Sequence, residues 1–213
     1  MDLRVLSDET APPVALKEGL EEEASPGATS GALTVLLSGL GLLTDTYDLQ
    51  VFNLARGFIA LEHPMSDADE AAITASAIAG ALVGMLGFGL LADALGRRGV
   101  FIATALLTTL GALGSACVSG EAAVVRALGG MGIYAQLALC RFVMGVGIGG
   151  EYPLSAANTA EHATARGGRQ LAITFSMMGW GGLLAPAAFA AMRAAGVTPA
   201  HTWRLGFALG AAL

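Results

Sequence analysis

The sequence predicts an all-α fold, a polytopic transmembrane helical bundle, and three observations lead there. Hydrophobic residues make up 54% of the 213 and charged residues only 13%, roughly half the charge of an ordinary soluble domain. Apolar runs long enough to cross a hydrocarbon layer of about 30 Å recur along the chain, separated by short polar turns. Two carboxylates, Asp45 and Asp48, lie inside one of those runs. A charged side chain at membrane depth costs about 2.5–3.5 kcal/mol on insertion scales, so a chain that keeps two of them is using them, for protons or for a polar solute.

The elements follow in order. Residues 2–23 hold seven acids against Arg4 and Lys17, and so carry most of the net charge of −6. The acidity therefore describes a tail, 1–30, expected to be disordered and lacking the basic start of a signal peptide. No basic patch is present, which excludes nucleic acid as a partner. The first span is expected over about 31–60. An acidic loop, 61–70, follows, in which Ser66 or Asp67 caps the next helix with Asp69 and Glu70 in its first turn. Span two covers about 70–91 and span three about 100–118. Between 119 and 133, Glu121, Arg126 and the run Gly129-Gly130-Met131-Gly132 oppose a spanning helix, and an amphipathic surface turn or extended loop is expected. Span four covers about 134–158, span five about 170–192, and a sixth, 202–213, stops short of the roughly 20 residues that a crossing needs. Cys117 and Cys140 read as buried thiols. Trp203 and Tyr134 fall where an interfacial aromatic belt is expected.

Arginine placement sets the orientation. Arg97 and Arg98 follow span two, and Arg166 and Arg169 follow span four. By the positive-inside rule both loops, and the N-terminal tail, face the cytoplasm; Arg193 and Arg204 beside the outer loop oppose this mildly.

Two motifs stand out. The first is Gly89-Leu90-Leu91-Ala92-Asp93-Ala94-Leu95-Gly96-Arg97-Arg98, between spans two and three. A tight turn between two helices calls for glycine at Gly96. Asp93 at a helix end suits pairing with a helix N-terminus or an arginine, and Arg97 and Arg98 suit an anionic leaflet. Glu161, Arg166 and Arg169, after span four, read as a solvated charged loop. The second motif is Arg141-Phe142-Val143-Met144-Gly145-Val146-Gly147-Ile148-Gly149-Gly150-Glu151-Tyr152-Pro153-Leu154-Ser155. Gly145, Gly147 and Gly150 match a dinucleotide fingerprint, but that fingerprint needs a strand before it and a βαβ unit around it. Inside a spanning segment, small residues there serve close helix packing or a local distortion. Arg141 and Glu151 are ten residues apart, about 15 Å along a helix. Arg141 either closes an ion pair with Asp45 or Asp48 or takes part in a proton switch. Pro153 frees a backbone carbonyl near Tyr152, which suits a cavity wall.

The first motif resembles the loop signature of the major facilitator superfamily, with Ala94 where a basic residue is usual. The second, with Thr44-Asp45-Thr46-Tyr47-Asp48-Leu49, resembles the phosphate/proton symporter family of that superfamily, whose fourth helix reads Arg-Phe-x-x-Gly-x-Gly-x-Gly-Gly-Asp-Tyr-Pro-Leu-Ser. The resemblance implies the N-terminal six-helix half of a major facilitator fold with helix six truncated. It implies proton coupling by Asp45, Asp48 and Glu151 with Arg141, and a cytoplasmic gate of Gly89, Asp93, Gly96, Arg97, Arg98, Glu161 and Arg166, in which Glu161, Arg166 and Arg169 form a network with Asp93 and Arg97. It also implies substrate contacts at Tyr152, Tyr47 and Met178. Glu151 replaces the family aspartate, and Met178, in Phe175-Ser176-Met177-Met178-Gly179, replaces a glutamine that contacts phosphate. A thioether donates no hydrogen bond, so the alternative of an organic anion such as a glycerophosphodiester stays open, as does a non-transporting half-transporter or sensor. The implied partners are inorganic phosphate or another small anion, protons, the lipid bilayer and a missing C-terminal half; the implied location is the plasma membrane. His63, His162 and His201 lack metal-ligand spacing, and no nucleophile–base set appears, so neither an enzyme, nor a metal, nor a cofactor is expected.

Overall fold

Helix follows helix through residues 26–161 and 167–213, the part described by the computed structural model of this protein. In order these are α1 (Pro26–Glu62), α2 (Asp67–Leu95), α3 (Arg97–Cys117), α4 (Ala122–Ala127), α5 (Ile133–Glu161), α6 (Gly167–Ala194) and α7 (Pro199–Ala212). Four stretches are long and apolar enough to cross a membrane, Asp67–Leu91, Arg98–Cys117, Ile133–Ala157 and Gly168–Ala194. The described part of α1 is not among them; it carries Asp45, Asp48, Gln50, Asn53 and Arg56.

Local chemistry explains the boundaries. Ser66, not Asp67, is the N-cap of α2. Its Oγ accepts from the Asp69 N–H at 3.2 Å, and the Asp69 carboxylate accepts from the Ser66 N–H at 3.2 Å, which is a reciprocal capping box. Ser66→Ala is expected to cost about 1 kcal/mol, read as a lower midpoint in a denaturation of the protein in detergent. Gly96 joins α2 to α3 with φ of 80°, a value that L side chains rarely adopt. The 119–133 stretch is not merely a turn or loop, because Ala122–Ala127 form one short helix. The chain then reverses through Gly129 and Gly130, both at positive φ. Gln136 ties this segment down: its Nε2 donates to the Ser119 and Met131 carbonyls at 3.0 and 2.9 Å, and its Oε1 accepts from the Ser119 N–H.

α5 is the spine of the bundle. It packs along α2 on one side and α3 on another, while α1 packs along α6 and is joined by α7, which also reaches α3. The glycines of the second motif set these approaches. Cβ atoms built on Gly80 and Gly84 of α2 would strike the backbone of Phe142 and Val146, and Cβ atoms on Gly145 and Gly149 of α5 would strike that of Ala77 and Ala81. Gly147 faces α3 instead, against Thr104 and Thr108. The motif is thus helix–helix contact surface, as expected where lipid offers no hydrophobic drive and close backbone packing carries association.

An apolar cluster fills one end of the bundle, built from Tyr47, Val51, Phe52, Ala55 and Ile59 of α1 with Leu137, Phe189, Trp203 and Phe207. Trp203 does not sit in a lipid-facing belt: it is fully buried and its indole Nε1 donates to Glu62 at 2.9 Å. Arg204 stacks on its ring and donates to the Val118 carbonyl at 3.0 Å, so α7 joins the ends of α1 and α3. Cys117 is exposed rather than buried, Cys140 is half-buried, and both are free thiols. Large apolar side chains, among them Leu86, Leu90, Leu110, Trp180 and Leu183, point outward, a surface suited to hydrocarbon and not to water.

Candidate functional site

Spacing on α1 aligns the polar groups. Gly41, Asp45 and Asp48 fall at i, i+4 and i+7, on one face of the helix, and that face turns inward. Asp45 and Asp48 are 1% and 0% exposed. On α5, Arg141, Met144, Glu151 and Ser155 share a face that meets it, and Arg141 and Glu151 are 2% and 4% exposed.

Two glycines make room for the carboxylates. The Glu151 carboxylate lies where a side chain on Gly41 would stand, and the Asp48 carboxylate lies where one on Gly210 of α7 would stand. Beside the Gly41 seat opens a cavity of about 220 Å³ lined by Asp45, Glu151, Gly41, Thr44, Thr108 and Thr109, with Gly210 of α7 on its wall. The cavity brings Asp45 and Glu151 to one space, while Asp48, Tyr47, Arg141, Tyr152 and Met178 do not line it. It is smaller than the 300–1,000 Å³ usual for a small-molecule pocket.

Of the two readings of Arg141, the ion pair with Asp45 or Asp48 is not formed; among the described residues the ion pair formed is Arg56 with Glu70. Arg141 instead donates to backbone: Nη1 to the Asp48 carbonyl at 2.7 Å and Nη2 to the Leu49 carbonyl at 3.5 Å. The carbonyls of α1 protrude toward α5 at this level, whereas the Asp48 side chain turns to Gly210 on α7. Both Asp48 carboxylate oxygens and Asp45 Oδ2 are buried with no hydrogen-bond partner. Buried polar atoms are normally hydrogen-bonded, so these oxygens stand out as exceptions with no structural partner to account for them.

The remaining predicted positions are dispersed. Tyr47 is fully buried and its hydroxyl donates to the Gly206 carbonyl at 3.0 Å, which ties α1 to α7. Tyr152 is half-buried on α5, directly after Glu151. Met178 is half-buried on α6. Pro153 lies within α5 and leaves the Gly149 carbonyl without its helical donor. Of the gate residues, Gly89 has open space around it, Gly96 forms the turn and Arg98 is exposed. The side chains of Asp93, Arg97 and Glu161, and the whole of Arg166, lie outside the described residues. Gly41 and Gly210 belong to neither sequence motif. Gly41 had a readable signal, one turn before Asp45; Gly210 had none, because its role depends on how α7 meets α1.

Comparison with known proteins follows this geometry. The family model described as "Sugar (and other) transporter" matches residues 15–213. The repressible high-affinity phosphate permease of Neurospora crassa is 31% identical over 171 residues, covering 78% of this chain and 29% of the permease. The probable inorganic phosphate transporter 1-6 of Arabidopsis thaliana is 36% identical over 164 residues, covering 72% of this chain and 30% of that protein. This chain thus spans under a third of the length of these curated relatives. Among solved structures, the major facilitator superfamily proton:xylose symporter XylE, from E. coli, superposes with a TM-score of 0.72 at 21% identity, covering 86% of this chain and 42% of that one. At that identity the likeness speaks for the fold alone. The all-helical architecture is part of a major facilitator fold, and the chain belongs to the sugar (and other) transporter family of multi-pass membrane proteins.

Proposed function

We propose that this chain is the N-terminal six-helix half of a proton-coupled symporter of inorganic phosphate that works by alternating access. The single observation that carries the proposal is the shared cavity of Asp45 and Glu151, with Asp48 and Arg141 a turn away and unpaired. Two acids facing one small space in a low dielectric repel when both are charged, so one proton between them is a stable load. Tyr152 adjoins that pair, since it follows Glu151 directly on α5. Relatives named as phosphate permease and inorganic phosphate transporter support phosphate as the substrate. In this proposal a second half supplies the opposing wall of the substrate site, with the anion held between the halves at the midplane. The chain lies in the plasma membrane with its N-terminus cytoplasmic, and the segment Gly89–Arg98 with Glu161 and Arg166 latches the cytoplasmic side.

The test is uptake of labelled phosphate by cells expressing the gene that encodes this chain. Uptake is expected to rise several-fold when the outside is acidified, to collapse with a protonophore, and to be competed by unlabelled phosphate better than by glycerophosphodiesters or carboxylates. Uptake indifferent to the pH gradient overturns the coupling; preferential competition by an organic anion overturns the substrate.

A further inference from the structure

Arg141 is held by an unusual set of partners. It is 2% exposed, and its charge meets no carboxylate within hydrogen-bond reach. Its guanidinium carbon lies 5.6 Å from the ring centroid of Phe52 on α1 and 5.8 Å from that of Phe207 on α7. Both rings are essentially inaccessible to solvent. Two α1 carbonyls and Met144 Sδ, at 3.5 Å, complete the shell, and Nε has no partner. Phe207 is itself fixed edge-on by Trp203 at 6.3 Å. A buried cation between two ring faces is attracted by both quadrupoles, and this attraction strengthens as water is excluded.

We infer that Phe52 and Phe207 are positioning residues, an aromatic cage that holds the Arg141 guanidinium against the α1 backbone and away from the Asp48 carboxylate. This inference rests on the proton-coupling function proposed above and deepens it. The cage answers how a cation and an acid so close in the fold stay unpaired. With its charge met by rings and carbonyls, Arg141 leaves Asp48 free to load a proton. The titratable groups facing Asp48 are Arg141 from α5 and Asp45 and Tyr47 from α1. α7 brings Gly210 against the Asp48 carboxylate and Phe207 against Arg141, while its Arg204 is engaged with Trp203 and the Val118 carbonyl and Arg193 of α6 lies over Phe58. Among the described residues Arg141 is therefore the cation poised to close on Asp48 when a ring is removed.

The experiment is infrared difference spectroscopy of the protonated-carboxyl band during a pH titration, on the gene product carrying this chain reconstituted in phosphatidylcholine vesicles. The component lost in Asp48→Asn identifies Asp48. In Phe207→Leu and in Phe52→Leu, which keep the site apolar but remove a ring face, the pH profile of that component is expected to move toward acid by at least about one unit, the effect of a cation closing on a carboxylate. Phe207→Tyr, which restores the face, is expected to follow the unaltered protein. A profile unchanged in the leucine variants, with the Asp48 component present, overturns the cage alone and leaves proton coupling standing. No component lost in Asp48→Asn overturns both the cage and the loading of Asp48. Should one leucine variant fail to fold, the other ring carries the test.

Discussion

Asp45→Asn and Glu151→Gln are each expected to lower gradient-driven phosphate uptake by roughly 100-fold, the order lost when a positioned proton-transfer group is removed from its site. Both acids are buried, both face the same cavity of about 220 Å³, and neither is held by a cation. Each amide keeps the shape and hydrogen-bonding capacity of the acid but removes the exchangeable proton, so expression and folding should be retained. The loss should fall on coupling: exchange of labelled phosphate for unlabelled phosphate at equal pH across the membrane is expected to survive far better than accumulation. A second route to the same defect tests the geometry. A Cβ on Gly41 would occupy the place of the Glu151 carboxylate, whereas one on Gly57 of the same helix meets nothing within 4 Å. Gly41→Ala is therefore expected to impair accumulation about tenfold, a displacement of about 1.4 kcal/mol, and Gly57→Ala to leave it unchanged. Accumulation that persists in both Asp45→Asn and Glu151→Gln would dismiss the pair as the proton site.

Gly145→Val and Gly149→Val are expected to dissociate α5 from α2, at a cost of about 3 kcal/mol or more each, at the upper end of what overpacking a well-packed site costs. A Cβ on Gly149 would lie 2.7 Å from the Ala81 carbonyl carbon, and one on Gly145 would lie 3.0 Å from that of Ala77. The obstacle in each case is backbone within a helix, which cannot rotate aside as a side-chain tip can. The opposing glycines, Gly80 and Gly84, meet Phe142 and Val146 in the same way, so both surfaces of the contact are already bare and nothing remains to be trimmed in compensation. The measurement is the fraction of monodisperse protein recovered in mild detergent and its thermal midpoint. Gly87→Ala is the control: Gly87 lies on α2 with open space at its Cβ direction, and its replacement is expected to be neutral or slightly stabilising, since alanine favours a helix over glycine by about 0.5–1 kcal/mol. Stability equal to the unaltered protein in both valine variants would mean that the two helices do not approach this closely.

Much of this arrangement was legible in advance, and the reasons differ by residue. Asp45 and Asp48 announced themselves because a carboxylate in an apolar run has few structural uses. The depth of Arg141 and Glu151, about 15 Å apart along one helix, follows from helical rise. The glycines of α5 read as packing rather than nucleotide binding because no strand precedes them, and Gly96 read as a turn because its place between two helices demands positive φ. Other features were misjudged for identifiable reasons. Trp203 falls near a helix end, where a lipid belt is expected, but the Glu62 carboxylate accepts its indole N–H and the ring is buried in the bundle. The ion pair that is one of the two readings of Arg141 rests on charge and depth alone, and charge without direction does not reveal that a backbone carbonyl takes the guanidinium.

Composition and periodicity by themselves determined that this chain is helical, that its helices suit a membrane, and which polar residues lie at membrane depth, because those properties depend on a residue and its neighbours within a few turns. Which acid shares a cavity with which, what holds Arg141, and why Gly41 and Gly210 are bare were decided only where α1, α5 and α7 meet. Such contacts join residues about 90 to 160 positions apart, as Arg141 with Asp48 and Tyr47 with Gly206 do, and the relative rotation of three packed helices, which sets them, leaves no period in any one of the three.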